Sequence, residues 1–274
     1  MTGLTTEQDA FGHLLDDHLR GAPGLEIVER DDGFIGVGES SRAYVAAYQA
    51  WPAHDRAAIA WARGRILDIG CGAGRHALYL QEQGADVVGI DVSPLAIDVC
   101  RRRGLRDARV LSLADASHLP GQPDPPDPPD PPDPPDPPDP PGPPGSWDTL
   151  LLLGANVGLF GDAATAWTLL TRLYGSTSDD ARIIAESRDP HAISDLVHAA
   201  YRDENLRRGR MPGQLRLRIR YKQYATPWFE YLFVSKPEME RLLAGTGWAV
   251  TRYLDAVTGE YIALIEKISV ARLG

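Results

Sequence analysis

The residues best suited to chemistry lie where short apolar segments end in glycine or acidic residues. The segment ILDIGCGAGRHALYL (66–80) places Asp68 just before a turn that contains Gly70, Gly72 and Gly74. Glycine lets a backbone approach a ligand closely or adopt a positive φ angle, and the N-terminus of the following helix offers free N–H groups to an anion. The turn therefore predicts a binding site for a small charged ligand. NAD enzymes use a similar turn, so this feature alone does not distinguish the ligand.

Two further acids follow the next two apolar segments. Asp91 ends DVVGID, where a carboxylate could accept both hydroxyls of a ribose, and Asp115 follows ARVLSL, where it could contact an adenine amine. The glycine spacing is G-x-G-x-G, and Arg75 stands where a dinucleotide-binding fingerprint has its third glycine. Asp68 would repel a pyrophosphate but could attract an amino group. These details favour S-adenosylmethionine over NAD as the ligand.

The elements that must position these residues alternate between strands and helices. Strands are predicted at 65–70, 86–91, 108–113, 147–154 and 181–188, with helices at 75–84, 94–104 and 162–175 between them. This alternation is typical of βαβ units and of a mainly parallel sheet. Towards the C-terminus, strands 214–224 and 228–235 could pair, a helix follows at 235–247, and strands 248–256 and 260–268 form a hairpin.

At these residues the sequence resembles the class I S-adenosylmethionine-dependent methyltransferases, from about 66 to 268 without the Pro-rich insert. The motifs that carry the resemblance are DIGCGAG (68–74), GIDVSPLAI (89–97), LADASHL (113–119), WDTLLLLGANVGLF (147–160) and the C-terminal hairpin. The resemblance implies a Rossmann-like, seven-stranded, mostly parallel α/β sheet with helices on both faces and an antiparallel C-terminal hairpin strand.

The resemblance also implies which residues contact the cofactor. The methionine end would be lined by Asp68, Gly70, Cys71, Gly72 and Gly74, the ribose by Asp91, and the adenine by Asp115 and Ala116. Arg75 could approach the cofactor carboxylate or remain solvated. The fourth strand lacks the N/D-P-P motif of enzymes that methylate nucleic-acid amines, and GAN (154–156) stands there instead. Methylation of adenine or cytosine amines in DNA is therefore not expected.

Residues 1–63 are predicted to form an N-terminal helical cap region, with a helix at about 40–62 interrupted near Pro52, and 64–274 to form the methyltransferase domain. This domain would carry a substrate-side insert at about 190–234. The Pro-rich segment 121–145 is predicted to be disordered or polyproline II, because proline lacks a backbone donor and has a restricted φ. Its repeat at 123–145 could bind a proline-binding partner domain or be a tolerated expansion of a surface loop.

Candidates for the acceptor side follow the fourth and fifth strands, because ligands of open α/β sheets bind at the carboxyl ends of strands. These candidates are Asn156, the segment 186–189 and His191, with Asn156 and His191 as weak candidates for catalysis, and Tyr44 could cover the site. One face of the strand 214–224 carries Arg216, Arg218 and Arg220. That face could hold an anionic acceptor, or it could be a solvated edge strand protected by its charge.

Composition narrows the function classes. The net charge is −10, of which six negatives belong to the aspartates of the Pro-rich repeat, and an acidic chain is poorly suited to nucleic acid. No apolar run is long enough to span a membrane and no secretory signal is evident, so a cytoplasmic location is predicted. The two cysteines, Cys71 and Cys100, are predicted to be reduced. The seven histidines lack metal-binding spacings, so no metal is predicted.

The leading hypothesis is thus an S-adenosylmethionine-dependent methyltransferase with a small-molecule acceptor. An NAD(P)-dependent oxidoreductase is one alternative, disfavoured by Arg75 and by the absence of a recognisable Tyr-x-x-x-Lys pair. A non-catalytic scaffold of the same fold, which uses the Pro-rich arm to bind partners, is the other.

Overall fold

A computed structural model describes residues 3–116, 146–192, 195–257 and 259–268. The Pro-rich insert, and with it the prediction of a proline-binding partner, lies outside these residues. The helices described are α1 (Ala10–Leu19), α2 (Ser41–Tyr44), α3 (Ala53–Ile59), α4 (Arg75–Glu82), α5 (Pro94–Arg102), α6 (Leu113–Ala116), α7 (Ala163–Gly175), α8 (Leu196–Arg207) and α9 (Lys236–Leu243). The strands are β1 (Leu25–Arg30), β2 (Ile35–Ser40), β3 (Arg65–Ile69), β4 (Asp86–Asp91), β5 (Asp107–Val110), β6 (Trp147–Leu152), β7 (Thr177–Arg188), β8 (Gln214–Tyr221), β9 (Tyr224–Ala225), β10 (Phe229–Leu232), β11 (Trp248–Asp255) and β12 (Glu260–Lys267).

The larger sheet has seven strands in the order β11-β12-β7-β6-β3-β4-β5. The strands from β5 to β7 are mutually parallel, and β12 pairs antiparallel with both β7 and β11. The predicted fold class, including the antiparallel C-terminal hairpin, is therefore confirmed. The strand order reverses at β3, and β4 and β6 lie on either side of it. This reversal is where open α/β sheets bind their ligands.

The central strands are buried on both faces because consecutive apolar residues point to opposite sides. Leu67, Leu150 and Ile183 belong to the core cluster that includes residues of α7 and α9. Their neighbours Ile66, Leu151 and Ile184 belong to the cluster that includes residues of α3, α4 and α5. Strands that are covered on both faces require a continuous run of apolar residues rather than an alternating pattern.

The second sheet joins two segments that are far apart in sequence. Its path is β10-β8-β1-β2, with β9 paired to β8, and the pairings are antiparallel. The predicted pairing of 214–224 with 228–235 is confirmed by β8 and β10. The N-terminal hairpin of β1 and β2 extends this sheet, so the N-terminal region and the insert at about 190–234 form one structural layer.

The prediction that residues 1–63 are helical is wrong for 25–40, which form β1 and β2. The strand β2 contains Gly36 and Gly38, and its alternating apolar residues, Ile35 and Val37, are exposed, so it lacks the buried apolar face that marks a strand. The predicted helix at about 40–62 is also broken into short pieces. Trp51 is extended because it precedes Pro52, and α3 begins only after that proline.

Candidate functional site

The Gly-rich turn connects β3 to α4 and is tied to the carboxyl end of β4. Gly70, Gly72 and Gly74 have φ angles of 69°, 54° and 77°, which side chains rarely adopt. The N–H groups of Gly70 and Cys71 both donate to the carbonyl of Ile90, at 2.8 and 3.0 Å. The glycines thus adopt the positive φ angles that their type allows, and the neighbouring strand holds the turn through these two hydrogen bonds.

Asp91 contacts this turn directly from the end of β4. Its Oδ2 accepts the Gly72 N–H at 3.0 Å and its Oδ1 accepts the Ser93 N–H at 2.9 Å. Burial raises the pKa of Asp91 to about 6, although both hydrogen bonds favour the ionised form. A carboxylate has about four lone-pair positions, so Asp91 retains acceptor capacity beyond these two bonds.

Asp68 lies on the other side of the turn and is 2% exposed. Its Oδ2 has no hydrogen-bond partner among the described residues. Burial raises the pKa of Asp68, and this effect is opposed by His76, by the Ala77 N–H and by Arg75. An orphaned buried carboxylate oxygen is unfavourable unless a donor or cation meets it, so the residue fits a cationic amino group held at the turn.

Asp115 and Ala116 lie in α6, one strand further along the sheet. Leu111, just before this helix, donates its N–H to the Asp91 carbonyl at 2.9 Å, which joins the two acidic positions. Asp115 accepts a hydrogen bond from the Ser112 hydroxyl at 2.7 Å, and Ala116 is buried. The predicted ribose-side and adenine-side residues therefore lie along one edge of the sheet.

The N-terminal segment lies against this edge. Asp9 accepts the Ser93 hydroxyl at 2.6 Å and the Leu95 N–H at 3.0 Å, which fixes the start of α1 on the start of α5. The Phe11 ring packs so closely that a Cβ at Gly72 would lie 3.3 Å from it. Tyr44 meets Phe11 edge to face at 5.0 Å. A ligand at the turn would thus have aromatic rings beside it.

The sequence interpretation missed a cluster of titratable groups at the carboxyl end of β7. His54 Nε2 lies 3.3 Å from Asp55 Oδ1 and 3.9 Å from Glu186 Oε1. The nearby Glu186 carboxylate raises the pKa of His54. Glu186 was within the predicted acceptor-side segment, but His54 and Asp55 carry no motif and reach the site only through the packing of α3.

Arg75 is neither solvated nor directed at an open crevice. Its Nη2 donates to Asp55 Oδ2 at 3.0 Å, and its guanidinium lies 5.4 Å from the centre of the Trp51 ring. The side chain of Asp55 is 3% exposed and that of Arg75 is 17% exposed. Arg75 therefore joins α4 to α3 through an ion pair with a buried carboxylate rather than being solvated, and its approach to a cofactor carboxylate stays a prediction.

The two candidates for catalysis have different surroundings. Asn156 donates its Nδ2 to the carbonyls of Ile69 and Gly70 at 2.8 and 2.9 Å, so it supports the Gly-rich turn. The side chain of His191 is 52% exposed and lies 3.6 Å from Glu238. The structure brings Asn156 to the turn, whereas the contacts of His191 are with α9.

Two arginines on one face of β8 share a single carboxylate, that of Glu29. Arg218 donates two hydrogen bonds to Glu29, at 2.9 and 3.0 Å, and Arg220 donates a third at 3.2 Å. The opposite face of β8 packs on α1 through Tyr221. Of the three arginines predicted to hold an anionic acceptor, two are thus engaged by a strand that the sequence did not predict.

The two cysteines are free thiols close to the turn. Their sulfurs are 3.9 Å apart, and Cys100 Sγ donates to the Gly72 carbonyl at 3.1 Å. Cys71 is part of the turn, directly after Gly70, and Cys100 supports the turn from α5.

Comparison with known proteins agrees with this geometry. Residues 66–127 match the family model described as a methyltransferase domain. A segment of 62 residues is 40% identical to the 2-heptyl-1-hydroxyquinolin-4(1H)-one methyltransferase of Mycobacteroides abscessus, and it spans 27% of that protein and 21% of this chain. The match to this curated relative is therefore confined to about a quarter of the relative's length.

Two solved structures extend the likeness to most of the chain. A SAM-dependent methyltransferase from Bacteroides fragilis, in complex with S-adenosyl-L-homocysteine, has a TM-score of 0.75 at 23% identity, over 97% of this chain and 98% of that one. A SAM-dependent methyltransferase from Methanosarcina mazei has a TM-score of 0.53 at 17% identity, over 76% and 95% of the two chains. The protein has the Rossmann-like fold of class I methyltransferases. Within that fold, residues 66–127 match a methyltransferase domain.

Among the described residues, no helix is both long enough and apolar enough to cross a membrane.

Proposed function

We propose that this chain is a methyltransferase that binds S-adenosylmethionine at the Gly-rich turn and methylates a small molecule. The observation that carries the proposal is the pair of buried carboxylates on either side of that turn. Asp91 accepts the N–H of Gly72, and Asp68 presents an unpartnered oxygen. This arrangement suits a nucleoside whose other end carries an amino group, and the likeness of fold to SAM-dependent methyltransferases supports it.

The residues would divide the work of binding by position. Asp91 would accept the ribose hydroxyls, Asp68 would meet the amino group, and Asp115 with Ala116 would lie beside the adenine. S-adenosylmethionine supplies a methyl group that its sulfonium already activates. The task of the protein is then to orient the acceptor and exclude water, for which Phe11 and Tyr44 are suitably placed beside the turn.

The acceptor is proposed to be a small molecule that enters at the carboxyl ends of β6 and β7. Glu186, His54 and Asn156 all lie at this edge. A relative that matches over 62 residues is named for a hydroxyquinolone substrate, which is consistent with this class of acceptor. A preference for anionic acceptors would now depend mainly on Arg216, because Arg218 and Arg220 already pair with Glu29.

Isothermal calorimetry with S-adenosylmethionine, S-adenosylhomocysteine and NAD⁺ tests the cofactor directly. We expect micromolar-range binding of the first two ligands and no heat with NAD⁺. Mass spectrometry of a metabolite extract, incubated with the protein and methyl-labelled cofactor, would then identify the acceptor. Tight NAD⁺ binding without binding of either adenosyl ligand would contradict the proposal.

Cofactor affinity should depend on pH because the raised pKa of Asp91 lies near neutrality. Above a pH of about 6 the group is ionised and accepts hydroxyl donors, whereas below it the protonated form is a poorer acceptor. We expect the affinity for S-adenosylhomocysteine to fall by up to about tenfold per pH unit below 6. The measurement is calorimetry between pH 5 and 8. Because Asp91→Asn has no carboxyl group to titrate, its affinity should lack the pH dependence that Asp91 contributes. A wild-type affinity that does not change with pH would contradict the placement of Asp91 at the ribose.

The same pKa shift has the opposite consequence for the unliganded protein. Because the pKa of Asp91 is higher in the folded state than its usual value of 3.8, the native state binds this proton more tightly than the unfolded state. The contribution of Asp91 to stability is therefore greatest at low pH and decreases as the pH rises from about 4 to 6.

Gly72→Ala should reduce both stability and cofactor binding. The φ angle of 54° is unfavourable for alanine, and the new Cβ would lie 3.3 Å from the Phe11 ring. We expect a loss of about 1–2 kcal/mol in unfolding free energy from the backbone strain, measured by urea denaturation, together with weaker binding of S-adenosylhomocysteine.

The matched control for this substitution is Gly84→Ala. Gly84 has a φ angle of 88° and nothing lies within 4 Å of the added Cβ. This variant should have similar backbone strain and unchanged ligand affinity. If Gly72→Ala and Gly84→Ala bound the ligand with equal affinity, the side of the turn that faces Phe11 would not be the binding face.

A further inference from the structure

The cluster of His54, Asp55 and Glu186 has a geometry that its hydrogen bonds alone do not explain. One potential ligand atom from each residue lies within 4.8 Å of the other two. The two shorter separations, 3.3 and 3.9 Å, both involve His54 Nε2. Ligand atoms at about 2.0–2.2 Å from a transition metal are separated by roughly 3–4 Å, so only small side-chain movements would make these atoms a coordination set.

In each of the two carboxylates, one oxygen accepts a hydrogen bond from outside the cluster and the other faces into the cluster. We call the first the outer oxygen and the second the inner oxygen. Glu186 Oε2 accepts the Gly154 N–H at 2.6 Å, and Asp55 Oδ2 accepts Arg75 Nη2 at 3.0 Å. The inner oxygens, Glu186 Oε1 and Asp55 Oδ1, are the two that approach His54. Carboxylates that bind metals are oriented by hydrogen bonds from the protein to the oxygen that does not contact the metal.

Asp55 supplies the observation that points to a ligand. It is 2% exposed, and its Oδ1 receives no hydrogen bond from the described residues, although His54 Nε2 lies 3.3 Å away. Leaving a buried anionic oxygen without a donor is unfavourable by several kcal/mol in general. This oxygen is directed at the space that it shares with His54 and Glu186.

The local charge also favours a cation. Asp55 pairs with Arg75, whereas Glu186 is paired with no arginine or lysine among the described residues and approaches only His54. The two carboxylates of the cluster are thus accompanied by one guanidinium, that of Arg75. With a neutral His54, the two carboxylates and Arg75 together carry one uncompensated negative charge, which a divalent ion would offset.

We propose that His54, Asp55 and Glu186 bind a divalent first-row transition cation at the carboxyl edge of the sheet. One imidazole and two carboxylates form a mixed nitrogen and oxygen set that suits ions such as Mn²⁺ or Zn²⁺. Three protein ligands leave the remaining coordination positions to water or to an oxygen-bearing ligand. The proposal does not depend on the identity of the methyl donor.

The test is metal binding by the full chain after treatment with a chelator. Mn²⁺ is titrated with detection of the free ion by electron paramagnetic resonance, and Zn²⁺ is titrated by calorimetry. We expect one equivalent of at least one of these ions to bind. Both His54→Gln and Glu186→Gln should weaken this binding by at least about tenfold, while their circular dichroism remains that of the wild type.

Two control variants separate this site from adventitious binding. His191→Gln removes a histidine that also approaches a glutamate, at 3.6 Å, and Asp98→Asn removes an exposed carboxylate. Neither should change the affinity for the ion. Failure of both ions to bind below millimolar concentration would overturn the proposal, and so would equal affinity in the wild type, His54→Gln and Glu186→Gln. In that event the cluster is an ion-pair network with a protonated His54.

Discussion

Asp91→Ala is expected to weaken the binding of S-adenosylhomocysteine by about 1.5–3 kcal/mol, which is roughly 10- to 150-fold. The substitution removes the proposed acceptor for the ribose hydroxyls. It also removes the partners of the Gly72 and Ser93 N–H groups, at 3.0 and 2.9 Å, so the turn itself loses a support. Calorimetry of the purified variant measures the effect.

Asp86→Ala is the matched control because Asp86 begins the same strand, β4, at its amino end. Its side chain is 70% exposed, and its nearest cation is Arg65 at 3.3 Å. Since ligands bind at the carboxyl ends of the strands, this variant should bind the cofactor as the wild type does. Wild-type affinity in Asp91→Ala, with the control also unchanged, would remove Asp91 from the binding site.

Asp55→Ala should lower the free energy of unfolding by about 3 kcal/mol, the lower end of the range for breaking a buried ion pair. The substitution leaves the Arg75 guanidinium buried without its carboxylate, although Arg75 still contacts the Ala43 carbonyl at 3.4 Å. Urea denaturation with an unchanged m-value measures the loss. The effect is large because the side chain of Asp55 is only 3% exposed.

A surface ion pair provides the comparison for this second substitution. Asp98 pairs with Arg102 at 2.9 Å within α5, but the two side chains are 56% and 40% exposed. Asp98→Ala should therefore change the stability by less than about 1 kcal/mol. The double variant Asp55→Ala/Arg75→Ala should recover part of the loss, because no unpaired buried charge remains. An effect of Asp55→Ala no larger than that of Asp98→Ala would show that the pair is effectively solvated.

The local features of the nucleotide-binding half were predictable from the sequence. The apolar runs at β3 and β4, the glycines between β3 and α4, and Ser93 with Pro94 at the start of α5 each determine backbone conformation over a few residues. Ser93 caps α5 by accepting the Ala96 N–H at 2.9 Å, as a serine before a proline-initiated helix is expected to do. The order of the parallel strands then follows from the few topologies that such βαβ units can adopt.

The second sheet and the acceptor-side cluster were decided by the tertiary structure. The strand β2 is rich in glycine and exposes its apolar residues, so its sequence gives only a faint strand signal, and its sheet is completed by β8, from the distant insert. Glu29 thereby pairs with Arg218 and Arg220, which their alternation in the sequence had suggested as residues for an anionic acceptor. Likewise, α3 brings His54 and Asp55 to Glu186 from far along the chain. Local sequence determines backbone conformation, whereas contacts between distant charged side chains arise only when the apolar faces of separate elements pack together.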